Sequence, residues 1–348
     1  MAPTILTTLL LALGLGVTLT FASSHWFMAW MGLEISTLAI LPLMAQHRYP
    51  RAIEATTKYF LVQATGAATL LFAASTNAWL MGQWDIKQLD HPLPIILLTL
   101  ALGLKMGLAP THLWLPEVMQ GLDLTTGLIL STWQKLAPFA LLTQVCHLDS
   151  DLLVLIGLSS TILGGWGGLN QTQLRKVLAY SSIAHLGWMI LVMQFSPSLA
   201  ILALLSYIIM TSSTFLVFKL AAVTNVNTLA SSWANAPALT ALTPLLLLSL
   251  GGLPPLTGFT PKWLILQELT KQGLPPTATL AALSALLSLF FYLRLSYAMA
   301  LTIPPNTPTA TAPWRSPPLQ LTLPLAISAI ATIALLPLTP ALTALLKL

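Results

Sequence analysis

The sequence predicts an all-α integral membrane protein with about eleven transmembrane helices, and three observations support this fold class. Of the 348 residues, 56% are hydrophobic and only 7% are charged, whereas soluble domains average about 25% charged residues. The mean hydropathy is +0.83. Apolar runs of about 20 residues, which is the length of a bilayer-spanning helix, recur along the whole chain.

Polar residues and Pro or Gly clusters bound these apolar runs and place the helix ends. Because the runs follow one another with short connections, we expect a single integral membrane domain over residues 1–348. The Pro-rich stretch 304–318 is too polar to span and is predicted to be a surface connection. The predicted spans lie near residues 3–21, 25–45, 55–80, 93–118, 124–146, 151–169, 174–194, 198–222, 238–271, 276–301 and 322–346.

The fourth and ninth spans are unusually long and contain internal prolines. The fourth holds Pro110 and Pro116, and the ninth holds Pro255 and Pro261, which are six residues apart in each case. Proline removes a backbone donor and breaks a helix, so both spans should be broken helices. They lie five spans apart and therefore cross the membrane in opposite senses. Such paired broken helices in inverted halves indicate a transport site near the midplane.

This symmetry predicts two inverted five-helix units followed by one additional helix. The first unit covers residues 1–146, the second covers 149–301, and the C-terminal helix covers 322–346. Odd–even counting places basic loop residues such as Arg51 and Arg175 on the N-terminal side. By the positive-inside rule this side is the cytoplasm or, in a mitochondrion, the matrix. An odd number of spans puts the C-terminus on the opposite face.

Composition also argues against several classes of site. The net charge is +5, but the basic residues are scattered singly without interleaved aromatics, so we expect no nucleic-acid binding. One cysteine, Cys146, excludes an internal disulfide and cysteine ligation of iron–sulfur clusters or zinc by this chain alone. The six histidines form no i, i+4 pair, and no glycine-rich phosphate loop is present. We therefore expect no cofactor or metal bound by this chain.

Three charged residues lie near the middle of apolar spans: Glu34, Lys105 and Lys135. Each is roughly ten residues from either end of its span, hence about 15 Å deep, which a snorkelling side chain covers only in part. A charge at this depth costs about 3 kcal/mol even on the lenient insertion scale and usually lines an ion or proton path. Glu34 could instead be a buried acid that its neighbours satisfy, with one lysine as its partner.

The two lysines could be counter-ions or proton carriers. Removal from water disfavours the ammonium form, so a buried lysine can release and accept a proton, and a carboxylate that moves would switch this affinity. One acid cannot neutralise two buried cations, so packing alone does not explain both Lys105 and Lys135. The sequence therefore predicts the minimum machinery of a proton pump.

Three further residues are candidates for the same path. Lys262 directly follows Pro261, His112 lies inside the first break, and His185 lies near the centre of the seventh span. Lys262 could instead anchor a helix C-terminus, and a lone membrane histidine is often a structural hydrogen-bonding group. Histidine is nevertheless the best relay between lysines, because it changes charge near neutral pH.

Several segments of the chain carry specific motifs. They are Gly32-Leu-Glu34, Pro50-Arg-Ala-Ile-Glu-Ala55, Pro110-Thr-His-Leu-Trp-Leu-Pro-Glu-Val118 after Lys105, Gly164-Gly-Trp-Gly-Gly-Leu-Asn-Gln-Thr172, Ser182-Ile-Ala-His-Leu-Gly-Trp188 and Gly252-Leu-Pro-Pro-Leu-Thr-Gly-Phe259. These motifs resemble the chain 2 family of NADH–ubiquinone oxidoreductase, which are antiporter-like membrane subunits of respiratory complex I. The resemblance covers nearly the whole length, with a small departure at Thr111, where the family usually has an aromatic residue.

The resemblance implies proton translocation coupled to quinone reduction elsewhere in an NADH:ubiquinone reductase, without redox catalysis by this chain alone. It implies that Glu34 and Lys105 form the counter-ion pair. It further implies that Lys135 continues the path and Lys262 serves its exit half, with the histidines and waters bridging them. NADH, FMN, iron–sulfur clusters and ubiquinone would belong to other parts of the complex. The expected partners are other core and accessory subunits and membrane lipids.

Because the animal mitochondrial members of this family have fewer spans than the bacterial ones, eleven spans imply a multi-pass protein of the mitochondrial inner membrane. Its N-terminus would face the matrix, and its C-terminus would face the intermembrane space. Two alternatives remain open. A stand-alone cation/proton antiporter would transport when reconstituted alone, and a structural assembly subunit would use its buried charges only to guide assembly.

Overall fold

A computed structural model describes residues 2–46, 49–89, 91–145, 150–234, 237–300 and 322–347. In this part of the chain every regular element is a helix. Two isolated β-bridges join loop residues, His25 with Asp85 and Gln173 with Asn225. The predicted surface connection 304–318 lies outside the described residues, as do residues 146, 149 and 301, at which predicted units end or begin.

The helices occur in the following order and with the following bounds: α1 Pro3–Ala22, α2 Trp26–Met44, α3 Pro50–Met81, α4 Pro92–Met106, α5 Trp114–Gly121, α6 Leu124–Ser131, α7 Trp133–Val145, α8 Ser150–Gly168, α9 Leu174–Met193, α10 Pro197–Leu220, α11 Val226–Ala230, α12 Pro237–Gly251, α13 Phe259–Lys271, α14 Pro275–Ala300, α15 Leu323–Ala334 and α16 Thr339–Lys347. Short 3-10 turns follow α11 and α15.

Seven helices among the described residues are long and apolar enough to cross a membrane: α1, α2, α3, α8, α9, α10 and α14. Helices α15 and α16 would together form an eighth span, with a bend of 68° between them. The prediction of an all-helical, multi-span membrane protein is therefore confirmed. The fourth, fifth and ninth predicted spans correspond to the helix pairs α4–α5, α6–α7 and α12–α13.

The chain divides into two compact units, Met1–Ser159 and Ser160–Leu348. In the first unit, α2, α3, α4 and α7 surround the buried polar residues described below. In the second unit, α9 is the central helix, because nearly all of its side chains are buried.

Helices α1 and α2 approach each other closely at two glycines. A Cβ atom on Gly32 would lie 2.7 Å from Cγ2 of Thr20 and 2.8 Å from the carbonyl oxygen of Gly16. Both distances are well below van der Waals contact, so only glycine fits. Small residues allow such short helix–helix distances in membranes, and this contact fixes the helix that carries Glu34.

The first predicted break is present between α4 and α5. Helix α4 ends at Gly107, which has a left-handed backbone with φ of 81°. The Leu108 amide donates to the Gly103 carbonyl at 2.9 Å, and the Gly107 amide donates to the Leu104 carbonyl at 3.1 Å. This is the Schellman pattern of a helix C-terminus.

The second predicted break is present between α12 and α13 and begins in the same way. Gly252 has φ of 83°, and its amide donates to the Ser249 carbonyl at 3.0 Å. The Leu253 amide donates to the Leu248 carbonyl at 3.3 Å. In both breaks the helix ends at a glycine upstream of the prolines, because glycine adopts the left-handed conformation without a Cβ penalty. The prolines then follow the cap.

Two spans that the sequence predicted to be continuous are also interrupted. Between α6 and α7 the Leu128 carbonyl accepts from the Thr132 amide at 3.0 Å, from Thr132 Oγ1 at 2.7 Å and from Ser131 Oγ at 3.0 Å. Side-chain bonding of this kind bends helices. Between α15 and α16, Pro337 lacks the amide that would continue the helix, and this proline was a readable signal in the sequence.

Candidate functional site

The first unit contains a buried ion pair between α2 and α4. Nζ of Lys105 lies 3.4 Å from Oε1 of Glu34, and the Lys105 side chain is 1% exposed whereas that of Glu34 is 23% exposed. Thr37 Oγ1 lies 3.4 Å from the other carboxylate oxygen. Lys105 occupies the last turn of α4, where the helix carbonyls favour a positive charge. The structure thus brings these two predicted residues together.

Helix α3 packs directly against Lys105 and fixes its position. A Cβ atom on Gly66 would lie 2.9 Å from Cδ2 of Leu104 and 3.2 Å from Cγ of Lys105. Nε2 of Gln63 donates to the Lys105 carbonyl at 3.4 Å. Gly66 therefore leaves the space that the lysine stem occupies, and Gln63 satisfies a carbonyl near the end of α4.

Lys135 is buried on α7, with 2% of its surface exposed. Lys135 follows the interruption at Thr132. The direction of its side chain therefore depends on the axis of α7 and not on that of α6. The neighbouring Gln134 donates from Nε2 to the Ser36 carbonyl on α2 at 3.0 Å. This bond ties α7 to the helix that carries Glu34.

A small internal cavity of about 10 Å³ lies between Lys105 and Lys135. This is about the space that one water molecule needs, provided that two to four polar groups surround it. The polar residues that line the cavity are Ser36, Thr37, Tyr59, Gln63, Lys105, Gln134 and Lys135. The two lysines therefore share one cavity, and Glu34 reaches it through Lys105.

His112 lies in the first break and is buried, but it is not among the described residues that line this cavity. Its Nδ1 lies 3.3 Å from the Pro110 carbonyl oxygen. The next aromatic residue, Trp114, donates from Nε1 to the Leu104 carbonyl at 3.1 Å. Trp114 itself lines the cavity, and its ring lies 5.8 Å from that of Tyr59, which lines the cavity too.

In the second unit, Lys262 occupies the second break. Its Nζ donates to the carbonyls of Gly251 at 2.8 Å and Leu250 at 3.4 Å, which are the last carbonyls of α12. A Cβ atom on Gly252 would lie 2.9 Å from Cδ of Lys262. This is the geometry of a helix C-terminal anchor, which is the alternative role that the sequence suggested for Lys262. The same two hydrogen bonds hold a cation at the helix break.

His185 lies in a cluster of buried hydroxyl groups in the same unit. Its ring centroid is 5.5 Å from that of Tyr207, and the Tyr207 hydroxyl is hydrogen-bonded to Ser182. Tyr292, which is also buried, lies beside Ser181. This cluster places hydroxyl groups around the histidine.

Sequence reasoning missed the residues that support the charged groups rather than the charged groups themselves. Gln63 and Gly66 in α3 and the tyrosines Tyr207 and Tyr292 were readable as polar or small residues inside apolar spans. Their neighbours, however, depend on the tertiary contacts. Among the described residues, no group of three or more His, Cys, Asp or Glu side chains is arranged to hold a metal ion.

Two family profiles match the chain in succession. Residues 23–288 match the family described as NADH:quinone oxidoreductase/Mrp antiporter, transmembrane. Residues 289–343 match the C-terminus of NADH dehydrogenase subunit 2. Together the two matches cover most of the chain and include all six candidate residues.

Curated relatives match this chain over nearly their full length with high sequence identity. The NADH-ubiquinone oxidoreductase chain 2 of Gadus morhua is 69% identical over 348 residues, covering 100% of both chains. That of Salmo salar is 69% identical over 349 residues, with the same coverage. The Danio rerio protein is 61% identical over 343 residues, covering 98% of this chain and 99% of the relative.

Solved structures have the same fold. A chain of respiratory complex I from Thermus thermophilus with bound aureothin matches 97% of this chain and 78% of its own length, with a TM-score of 0.83 and 29% identity. A chain of the Mrp complex from Dietzia sp. DQ12-45-1b matches with a TM-score of 0.83, covering 97% of this chain and 76% of its own length, at 17% identity. The chain therefore belongs to the NADH:quinone oxidoreductase/Mrp antiporter family, among the NADH-ubiquinone oxidoreductase chain 2 proteins.

Proposed function

We propose that this chain is the proton-translocating, antiporter-like membrane subunit of an NADH:ubiquinone oxidoreductase. It moves protons through buried Glu, Lys and His side chains, while other subunits reduce quinone. The observation that carries the proposal is the Glu34–Lys105 pair, together with a second buried lysine, Lys135, on the cavity that Lys105 lines. A full-length match to chain 2 proteins supports it.

Proton transfer in the first unit begins at the ion pair. With its carboxylate 3.4 Å away, Glu34 stabilises the ammonium form of Lys105. When Glu34 moves away, this stabilisation is lost, because the Coulomb energy of a buried pair falls steeply with distance and dielectric screening. The proton then leaves Lys105 and passes through the shared cavity to the amine of Lys135.

We assign Lys262 and His185 to the same path in the second unit and His112 to a relay in the first break. Lys262 is held at a helix break by the last carbonyls of α12, and His185 lies among buried hydroxyl groups. A helix anchor and a proton carrier are compatible roles for Lys262, because its two backbone acceptors compensate part of its charge.

The finer topology that we propose has eleven spans. The seven long helices and the bent C-terminal pair account for eight, and the interrupted pairs α4–α5, α6–α7 and α12–α13 account for the rest. The two inverted units are residues 1–146 and 149–301, and residues 322–346 form the extra helix. The matching Schellman ends at Gly107 and Gly252 support an equivalence between the two broken spans.

We place the chain in the mitochondrial inner membrane as a multi-pass protein, with the N-terminus in the matrix and the C-terminus towards the intermembrane space. The full-length match to NADH-ubiquinone oxidoreductase chain 2 proteins and the transmembrane family profile support this location. Its partners are the other core and accessory subunits of complex I and membrane lipids. NADH, FMN, iron–sulfur clusters and ubiquinone belong to other parts of the complex, and this chain binds no redox cofactor.

The test compares Lys105→Met and Lys135→Met with Lys271→Met, which removes a lysine whose side chain is 61% exposed. In assembled complex, NADH-driven proton pumping should be abolished or strongly reduced by the first two changes and unchanged by the third. Undiminished pumping in both K105M and K135M rejects the assignment. Transport by the isolated, reconstituted chain would favour a stand-alone antiporter. Variants that fail to assemble but pump normally when rescued would favour a structural subunit.

A further inference from the structure

The second unit contains almost no acidic side chains. Eight of the chain's fourteen Lys and Arg residues lie in residues 160–348, but only one of its nine Asp and Glu residues, Glu268, lies there. Glu268 is already engaged, since its carboxylate lies 3.9 Å from Nζ of Lys271 and 3.3 Å from Nε2 of Gln272. Side-chain carboxylates of this unit therefore cannot balance its remaining cations.

One of these cations, Arg294 on α14, lines a pocket of about 360 Å³ together with five neutral residues. The α8–α9 connection, the end of the α10–α11 connection and the first residues of α11 form its walls. They are joined by the Leu174 amide donating to the Thr224 carbonyl and the Val226 amide donating to the Thr172 carbonyl, both at 3.1 Å. The residues lining the pocket are Thr172, Gln173, Asn225, Val226, Asn227 and Arg294.

One hydrogen bond to the backbone holds the guanidinium of Arg294 in place, and the group has further N–H donors. Its Nη1 donates to the Leu169 carbonyl at 2.8 Å, and a guanidinium has five N–H donors in a planar fork. The pocket adds neutral amide and hydroxyl groups from Gln173, Asn225, Asn227 and Thr172. A planar fork with adjacent neutral donors is the arrangement that binds a phosphate group through two parallel hydrogen bonds.

The pocket lies where membrane helices end. Helix α8 ends and α9 begins on either side of the connection that lines it, and α10 ends just before the other connection. Three more basic residues, Arg175, Lys176 and Lys219, lie in the turns at these same helix ends. Basic pockets at the ends of transmembrane helices attract anionic lipid head groups.

The surface of α14 beside the pocket suits lipid acyl chains. Phe290 and Tyr297 lie four residues before and three residues after Arg294, so all three share one helix face. Their exposed fractions are 56% for Phe290 and 57% for Tyr297. Aromatic side chains that flank a cation at a helix end are typical of the interface between head groups and hydrocarbon.

We infer that this pocket binds the phosphate of an anionic phospholipid, with Arg294 as the main contact and the acyl chains lying along the Phe290 face of α14. The lipid supplies the negative charge that the second unit lacks. This inference goes beyond proton translocation, because it concerns an end of the helix bundle that contains none of the candidate path residues.

The test uses assembled complex carrying Arg294→Gln, with Arg51→Gln as the matched control. Arg51 is an exposed arginine at the start of α3 in the first unit, so the control removes the same charge elsewhere. Each complex is delipidated with detergent and transferred to nanodiscs of phosphatidylcholine, either alone or mixed with an anionic phospholipid. The retained lipid is counted by mass spectrometry, and the melting temperature is measured.

Wild-type and R51Q complexes should retain one more anionic phospholipid than R294Q, and the anionic lipid should raise their melting temperatures more. Arg294→Lys keeps the charge without the fork, and it should show intermediate retention even if R294Q assembles poorly. Equal retention in wild type, R294Q and R294K overturns the inference. So does equal stabilisation by inorganic phosphate, which would identify a soluble anion, or loss of a neighbouring subunit with unchanged lipid, which would identify an acidic protein partner.

Discussion

Lys105 on α4 lies beside Glu34 on α2, with 3.4 Å between Nζ and Oε1 across 71 residues of sequence. The two side chains differ in accessibility, because 1% of the lysine and 23% of the glutamate is exposed. The lysine therefore depends on the carboxylate for charge compensation, whereas the carboxylate still has access to its surroundings. In the proposed function, Glu34 is therefore the member of the pair whose movement controls the proton on Lys105.

Replacing Glu34 by Gln should uncouple proton pumping while preserving side-chain size. E34Q removes the carboxylate that holds the proton on Lys105 in the proposed function. Removing one partner of a buried ion pair costs about 3–5 kcal/mol. The measurement is the number of protons translocated per NADH oxidised in assembled complex. Glu54→Gln is the control, because Glu54 is 62% exposed in a surface pair with Lys58. If E34Q pumps like E54Q, the ion pair has no role in transfer.

Replacing Gly32 by Ala should weaken the packing of α1 on α2. The added methyl group would meet Thr20 and the Gly16 carbonyl at less than 3 Å, and overpacking of this kind costs about 1–3 kcal/mol. Because Glu34 follows on the same helix, we expect less assembled complex and a lower melting temperature. Gly14→Ala on α1 is the control, since a Cβ there meets no atom within 4 Å. Equal assembly of both variants would contradict the close approach.

Replacing Gly252 by Ala should displace Lys262. Gly252 and Gly273 both have left-handed backbones, with φ of 83° and 74°, so alanine carries a similar backbone penalty of about 1–2 kcal/mol at either site. Only at Gly252 would the methyl group meet Lys262, whereas at Gly273 it meets no atom within 4 Å. Pumping per NADH oxidised should fall in G252A and persist in G273A. Equal pumping in G252A and G273A would mean that pumping does not depend on the position of Lys262.

Replacing Tyr292 by Phe should slow proton transfer without disturbing the fold. Tyr292 is buried beside Ser181, in the cluster that contains His185, and the change removes only a hydroxyl group. Tyr49→Phe, just before α3, is the control, because Tyr49 is 63% exposed. Proton uptake measured during steady-state NADH oxidation should decrease in Y292F alone. Identical uptake in the two variants would remove the hydroxyl cluster from the path.

Local sequence signals predicted the helices and the two long broken spans well. An apolar run of bilayer length must form its backbone hydrogen bonds internally. The residues of such a run therefore predict the residues of a helix. Glycine and proline likewise act locally, which is why the breaks near Pro110 and Pro255 were readable. The interruption at Thr132 was not, because the hydroxyl bonds to the Leu128 carbonyl found there also occur in continuous helices such as α10, where Thr211 Oγ1 donates to the Tyr207 carbonyl.

The sequence by itself determined the membrane class, the breaks after α4 and α12, and the identity of the buried charges, because each follows from local hydropathy and backbone chemistry. Only the tertiary structure decided which groups meet. It placed Lys105 against Glu34 and Gly66, gave Lys105 and Lys135 a common cavity, and seated Lys262 on the end of α12. Contacts between helices depend on the packing of distant side chains, which no single span encodes.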